Sequence, residues 1–107
     1  MQIDIEDEEL ETLILYGKTD GKKYKKLSKN KTFLRDLSKV MSILRIVPCT
    51  QSLKAFGSLH YENLKYNLSG FSSVRVGYKT KYRLIFEEFE NGIIIKLIEI
   101  NEHYGDK

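Results

Sequence analysis

Cysteine occurs once in the 107 residues, at Cys49, so no internal disulfide can form. Histidine is nearly as scarce. His60 and His103 are scattered, and nothing around them has the spacing of a metal-ligand set, so neither metal chemistry nor a cofactor is expected. No apolar run approaches the roughly 20 residues needed to cross a bilayer. The amino terminus opens acidic, whereas a secretory signal opens basic and then turns apolar. No internal repeat and no low-complexity linker interrupts the chain. Together these absences lead to the expectation of a soluble, cytoplasmic protein.

What is present is charge on a moderate apolar background. With 41% hydrophobic and 31% charged residues, the chain can bury one modest core, and a single domain over residues 1–107 is expected. The net charge of +3 hides a polarity. Asp4, Glu6, Asp7, Glu8, Glu9 and Glu11 crowd the start, and Lys18, Lys22, Lys23, Lys25, Lys26, Lys29, Lys31, Arg35 and Lys39 follow as a basic belt. Such a belt is either the footprint of a polyanion such as RNA or a solvated helix face.

The alternation in "MQIDI" predicts a short edge strand. A helix follows, with Asp7 as N-cap, Leu10, Leu13 and Ile14 on one face, and Gly17 as its stop. Glu8, Glu9 and Glu11 suit the positive end of its dipole, which accounts for much of the acidic cluster. "KTDGKKYKK" reads as a basic turn or loop. Phe33, Leu37, Val40, Met41 and Leu44 then recur at helical spacing, in a helix that should end before Pro48. Between Cys49 and Gly70 periodicity is lost, although Leu53, Phe56, Leu59 and Leu64 could dock on the core. From Phe71 the period becomes two. "SSVRV", "KYRLIF" and "IIIKLIEI" predict an antiparallel three-strand meander, with its second turn at Asn91-Gly92. The order strand, helix, helix, three strands gives an α+β domain, two helices on a small antiparallel sheet.

Pairing Val76 with Tyr82 sets Val74 against Leu84 on the helix side and Arg75 directly opposite Arg83 on the other face. Like charges so placed are unfavourable. Either a phosphate bridges them through forked hydrogen bonds, or a carboxylate such as Glu87, Glu99 or Glu102 neutralises them. Carrying the pairing through Asn91-Gly92 sets Phe86 opposite Leu97 and Glu87 opposite Lys96. It also puts Ile85, Ile98 and Ile100 on the arginine face, an apolar area that another part of the chain or a partner would cover.

The run "SLHYENLKYNLSGFSSVRVGYKTKYRLIF", followed by a strand and "INEHYGDK", resembles the RelE/ParE superfamily of toxins from type II toxin–antitoxin modules, most of all its HigB-like, plasmid-maintenance killer branch. The matching elements, between about Ser58 and Tyr104, are the leucine and glycine turn, the strand with Arg75, the Tyr82–Phe86 strand and the terminal pair His103 and Tyr104. The resemblance implies a metal-independent endoribonuclease that enters the ribosomal A site and cuts mRNA by attack of a ribose 2′-hydroxyl on the adjacent phosphate. In that scheme Arg75 and Arg83 stabilise the scissile phosphate, His103 is the acid or base, and Tyr104 orients the nucleotide. The long "GYKT" loop adds Lys79 and Lys81 as phosphate contacts. Tyr82, His60, Lys22 and Lys23 complete the RNA-binding candidates. The implied partners are the ribosome, mRNA and a cognate antitoxin, often a helix-turn-helix protein of the HigA type. Two alternatives share the fold: a ParE-like inhibitor of DNA gyrase, and a catalytically silent antitoxin-binding domain.

Overall fold

The computed structural model describes residues 1–64, 70–77 and 81–100, the side chain of Ile100 excepted. Strand β1 (Gln2–Ile5) leads into helix α1 (Glu8–Tyr16). That helix begins where the Asp7 carboxylate accepts the Glu9 N–H, and it stops at Gly17, whose φ of 68° turns its N–H back to the Leu13 carbonyl. Helix α3 (Lys31–Ile46) is capped by Asn30, which accepts the Phe33 N–H at 3.0 Å. It buries the whole expected stripe from Phe33 to Leu44 and ends before Pro48.

The basic stretch between these helices is not a free loop. Tyr24 is buried, its N–H donates to the Glu9 carboxylate at 2.7 Å, and Lys25–Ser28 form a short helix, α2. Glu9 thus holds the stretch down, which a helix-dipole role alone does not explain. Gly21 lies so near that a Cβ there would stand 2.1 Å from the same carboxylate.

Strands β2 (Glu62–Asn63), β3 (Phe71–Arg75), β4 (Tyr82–Phe89) and β5 (Gly92–Ile100) join β1 in one sheet of order β1-β5-β4-β3-β2. Because β1 runs parallel to β5, the sheet is mixed, not wholly antiparallel as expected. The helices carry the chain from β1 to β2 at the opposite edge, and the meander then brings β5 back beside β1, which supplies the long connection a parallel pair requires. β1 leaves β5 after Ile95, and the Tyr24 hydroxyl accepts the Ile98 N–H beyond it, at 3.3 Å.

The first hairpin has the expected register: Val74 opposes Leu84, Arg75 opposes Arg83, and the Val76 N–H reaches the Tyr82 carbonyl at 3.0 Å. The second differs. Phe89 pairs with Gly92, so the turn residues are Glu90 and Asn91, one position earlier than Asn91-Gly92. Gly92 is needed for another reason: a Cβ there would lie 2.0 Å from the Gln2 carbonyl oxygen, where β1 crosses. A bulge then follows in β5, so Phe86 faces Ile95, Glu87 faces Ile94, and Leu97 faces Ile85. The extra residue, Lys96, still meets Glu87 at 3.3 Å, and it also binds Glu6.

The bulge decides which face each later side chain takes. Ile98 opposes Leu84 and is buried in the core, not on the arginine face. Ile85 does lie on that face but is itself buried, and Phe71, Ile94 and Leu97 are its half-buried apolar residues. On the opposite face Val74, Val76, Leu84, Phe86, Ile93, Ile95 and Ile98 form one core with the stripes of α1 and α3. Leu53 and Leu59 dock on it from two 3₁₀ turns, Thr50–Ala55 and Gly57–Leu59. Phe56 does not, being 39% exposed. Among the described residues no helix is long and apolar enough to cross a membrane.

Candidate functional site

Alternation along β3 and β4 sends Arg75 and Arg83 from adjacent strands to the face opposite the helices. β2, two residues long and invisible to periodicity, adds the third member. Glu62 pairs with Ser73, which places its carboxylate beside Arg83, and Arg83 Nη1 donates to Glu62 Oε1 at 2.9 Å. Arg83 Nη2 donates to Glu99, its cross-strand partner on β5. The repulsion between the arginines is therefore relieved by two carboxylates, of which the sequence suggested Glu99 and missed Glu62. Its signal was that it opens the leucine and glycine turn, with a pairing visible only in three dimensions.

The three groups differ in exposure. The Arg83 side chain is 24% exposed and that of Glu62 is 56% exposed, so a fixed cation lies beneath an open carboxylate. Two polar atoms near this floor, Ser73 Oγ and Arg83 Nε, are buried and have no hydrogen-bond partner among the described residues. A groove of about 280 Å³ opens beside Arg75, lined by Asp36, Lys39, Val40, Ile43 and Leu59.

On the other face of β2 a second polar cluster converges on one carboxylate. Glu88 accepts hydrogen bonds from Thr50 Oγ1 (2.7 Å), the Tyr61 hydroxyl (2.5 Å), Asn63 Nδ2 (3.3 Å) and Ser72 Oγ. Burial works against its charge, yet these donors together hold its pKa below the usual carboxylate value. Burial, with the Glu88 contact, pushes the Tyr61 hydroxyl up.

Of the residues singled out in the sequence, Arg75 and Arg83 come together. Lys81 is exposed immediately before β4. His60 is exposed two residues before Glu62, in the left-handed region at φ 47°. Tyr82 packs towards the helices, its ring edge-on to Phe33 at 4.9 Å. Lys22 and Lys23 are exposed on the segment anchored by Tyr24, and Lys23 Nζ lies 5.3 Å from the Tyr24 ring. Lys79, His103 and Tyr104 lie outside the described residues. Among the described residues, no three His, Cys, Asp or Glu side chains are grouped to hold a metal ion.

Element order, mixed sheet and helix placement define an α+β fold, and a solved structure shares it. A structure of the YoeB–YefM complex from Staphylococcus aureus matches with a TM-score of 0.51 and 20% identity, over 92% of this chain and 94% of that one. The YoeB dimer and a heterotetrameric YoeB–YefM toxin–antitoxin complex, both from the same organism, match at TM-score 0.49 and 22% identity, over 97% of this chain and 98% of theirs. No family model and no curated protein matches the chain.

Proposed function

We propose that residues 1–107 form the toxin of a toxin–antitoxin pair, an endoribonuclease that cuts mRNA on the ribosome. The observation that carries this reading is the Glu62–Arg83 contact on the face opposite the helices, next to Arg75. Glu62 offsets part of the repulsion between the arginines, but an ion pair at this exposure contributes only about 0–1 kcal/mol, so stability supplies no strong reason for it. Chemistry gives one. Cleavage through a ribose 2′-hydroxyl needs a base close to a guanidinium that holds the phosphate.

In this scheme Glu62 takes the 2′-hydroxyl proton as the 2′-oxygen bonds to phosphorus, and the bond to the 5′-oxygen breaks. The product carries a 2′,3′-cyclic phosphate. Arg83 and Arg75 bear the charge that builds on the phosphoryl oxygens. His103 protonates the departing 5′-oxygen and Tyr104 orients the nucleotide. Both roles rest on the sequence resemblance. Arg75 also borders the groove walled by α3, where Lys39 offers another cation beside Asp36. Lys81, Lys79, Lys22 and Lys23 add electrostatic attraction.

The RelE-like fold, the arginine pair and the terminal His103–Tyr104 all support a toxin role, and the half-buried apolar side chains Phe71, Ile94 and Leu97 suit an antitoxin partner. The HigB-like branch, and with it an antitoxin of the HigA helix-turn-helix type, rests on sequence pattern alone. The test is to map new RNA 5′ ends after brief bacterial expression of the chain and of Arg83→Ala, with and without a translation inhibitor. Translation-dependent cuts lost in the variant support the reading. Growth arrest with mRNA intact would overturn it and turn attention to gyrase.

A further inference from the structure

Glu62 occupies a strand of only two residues, and such a strand has little to hold it in place. Its pairing with β3 covers Ser72 and Ser73 alone. Yet the residues on either side of Glu62, Tyr61 and Asn63, both turn to the opposite face, and both donate to the same Glu88 carboxylate. Asn63 Nδ2 also reaches Ser72 Oγ at 2.8 Å, and the Tyr61 ring stacks on Phe86, with centroids 6.4 Å apart and planes 15° apart. Thr50, at the start of a 3₁₀ turn, donates to the other carboxylate oxygen. One anion thus ties together β2, β3, β4 and the turn before them.

The geometry points to Glu88 as a positioning residue for Glu62: its carboxylate clamps the neighbours of Glu62 from the helix side and so fixes the Glu62 carboxylate against Arg83. A carboxylate accepts at every lone pair, whereas glutamine must present an N–H to donors already in place. Thr50 donates to one oxygen of Glu88, and Tyr61, Asn63 and Ser72 share the other, so Glu88→Gln removes the charge that these donors surround and turns an N–H towards one side of the clamp, weakening it with little change in volume. The claim rests on the catalytic role given to Glu62 above, and the test separates the two.

In a double-mutant cycle, cleavage of mRNA on programmed ribosomes is measured for the intact chain, Glu88→Gln, Glu62→Gln and the pair. A reacting group displaced by about 1 Å loses on the order of 100-fold in rate, so Glu88→Gln should lower kcat by that order and leave KM nearly unchanged. In the Glu62→Gln background the same change should cost less than about twofold, since the group it positions is gone. Equal losses in both backgrounds, or a loss that follows the fall in melting temperature, would overturn the claim.

Amide hydrogen exchange supplies a readout independent of activity. Glu88→Gln should speed exchange at Leu64, whose N–H donates to the Phe71 carbonyl beside β2, and leave Leu84 and Phe86 protected. Should the intact chain cut no RNA, the proposed function fails, and this arm alone judges the clamp: unchanged exchange at Leu64 sinks it. Tyr61→Phe, which removes one donor, replaces Glu88→Gln if that variant does not fold. Its effects should have the same pattern at smaller size.

Discussion

Arg83 donates to Glu62 at 2.9 Å across the sheet from its like-charged neighbour Arg75, so an arginine pair that would repel in isolation is embedded between carboxylates. This arrangement separates stability from activity. Glu62→Gln should lower RNA cleavage by about 100-fold or more, within the range of lost general-base catalysis. The exposed pair contributes at most about 1 kcal/mol, so melting should fall by only a few degrees. Thermal melting measured beside cleavage checks both. A large fall in melting temperature with little lost activity would show the pair to be structural.

Gly92→Ala should cost about 1–3 kcal/mol, because a methyl group cannot stand where the Gln2 carbonyl lies and β1 must shift. Hydrogen exchange should show β1 loosened, with β3 and β4 protected as before.

Asn30→Ala removes the side chain that accepts the Phe33 N–H at the start of α3 and should cost about 1 kcal/mol. Denaturant titration should show a lower midpoint with an unchanged slope.

Stability should fall on the acid side through Glu88. Its pKa is lower in the folded than in the unfolded chain, so its contribution is complete above the ordinary carboxylate value of 4.5 and is lost as pH falls through the depressed one. Tyr61 has the opposite sign: its raised pKa favours the folded state below the ordinary tyrosine value of 10.0, and that contribution fades as pH rises past it. Unfolding free energy measured from neutral to acid pH should have a shallower slope in Glu88→Gln than in the intact chain.

The arginine register was legible in the sequence because Val74, Val76, Leu84 and Phe86 alternate strictly and must face one core. Helix limits were legible for a similar reason, since Asp7, Gly17 and the stripe from Phe33 to Leu44 are local signals. β5 was not. Its apolar residues fill both parities, and only the step from Ile95 to Ile98 among the core positions records the bulge. Glycine at position 92 looked like a turn residue, but its cause is the crossing of β1 from the far end of the chain. The site was half legible. Arg75 and Arg83 could be paired from alternation, whereas Glu62 and the Glu88 clamp depend on two polar residues joining a distant strand edge. Alternation does not encode such contacts.

The reaction proposed for this face is RNA cleavage on the ribosome, with Glu62 as the base beside Arg83, which holds the phosphate. The most direct measurement incubates the purified chain with mRNA, free and on programmed ribosomes, and analyses the 3′ ends of the fragments. The expected result is cleavage only on ribosomes, fragments ending in 2′,3′-cyclic phosphate, and loss of both in Glu62→Gln and Arg83→Ala. Intact mRNA under both conditions, or cleavage undiminished in the two variants, would contradict it.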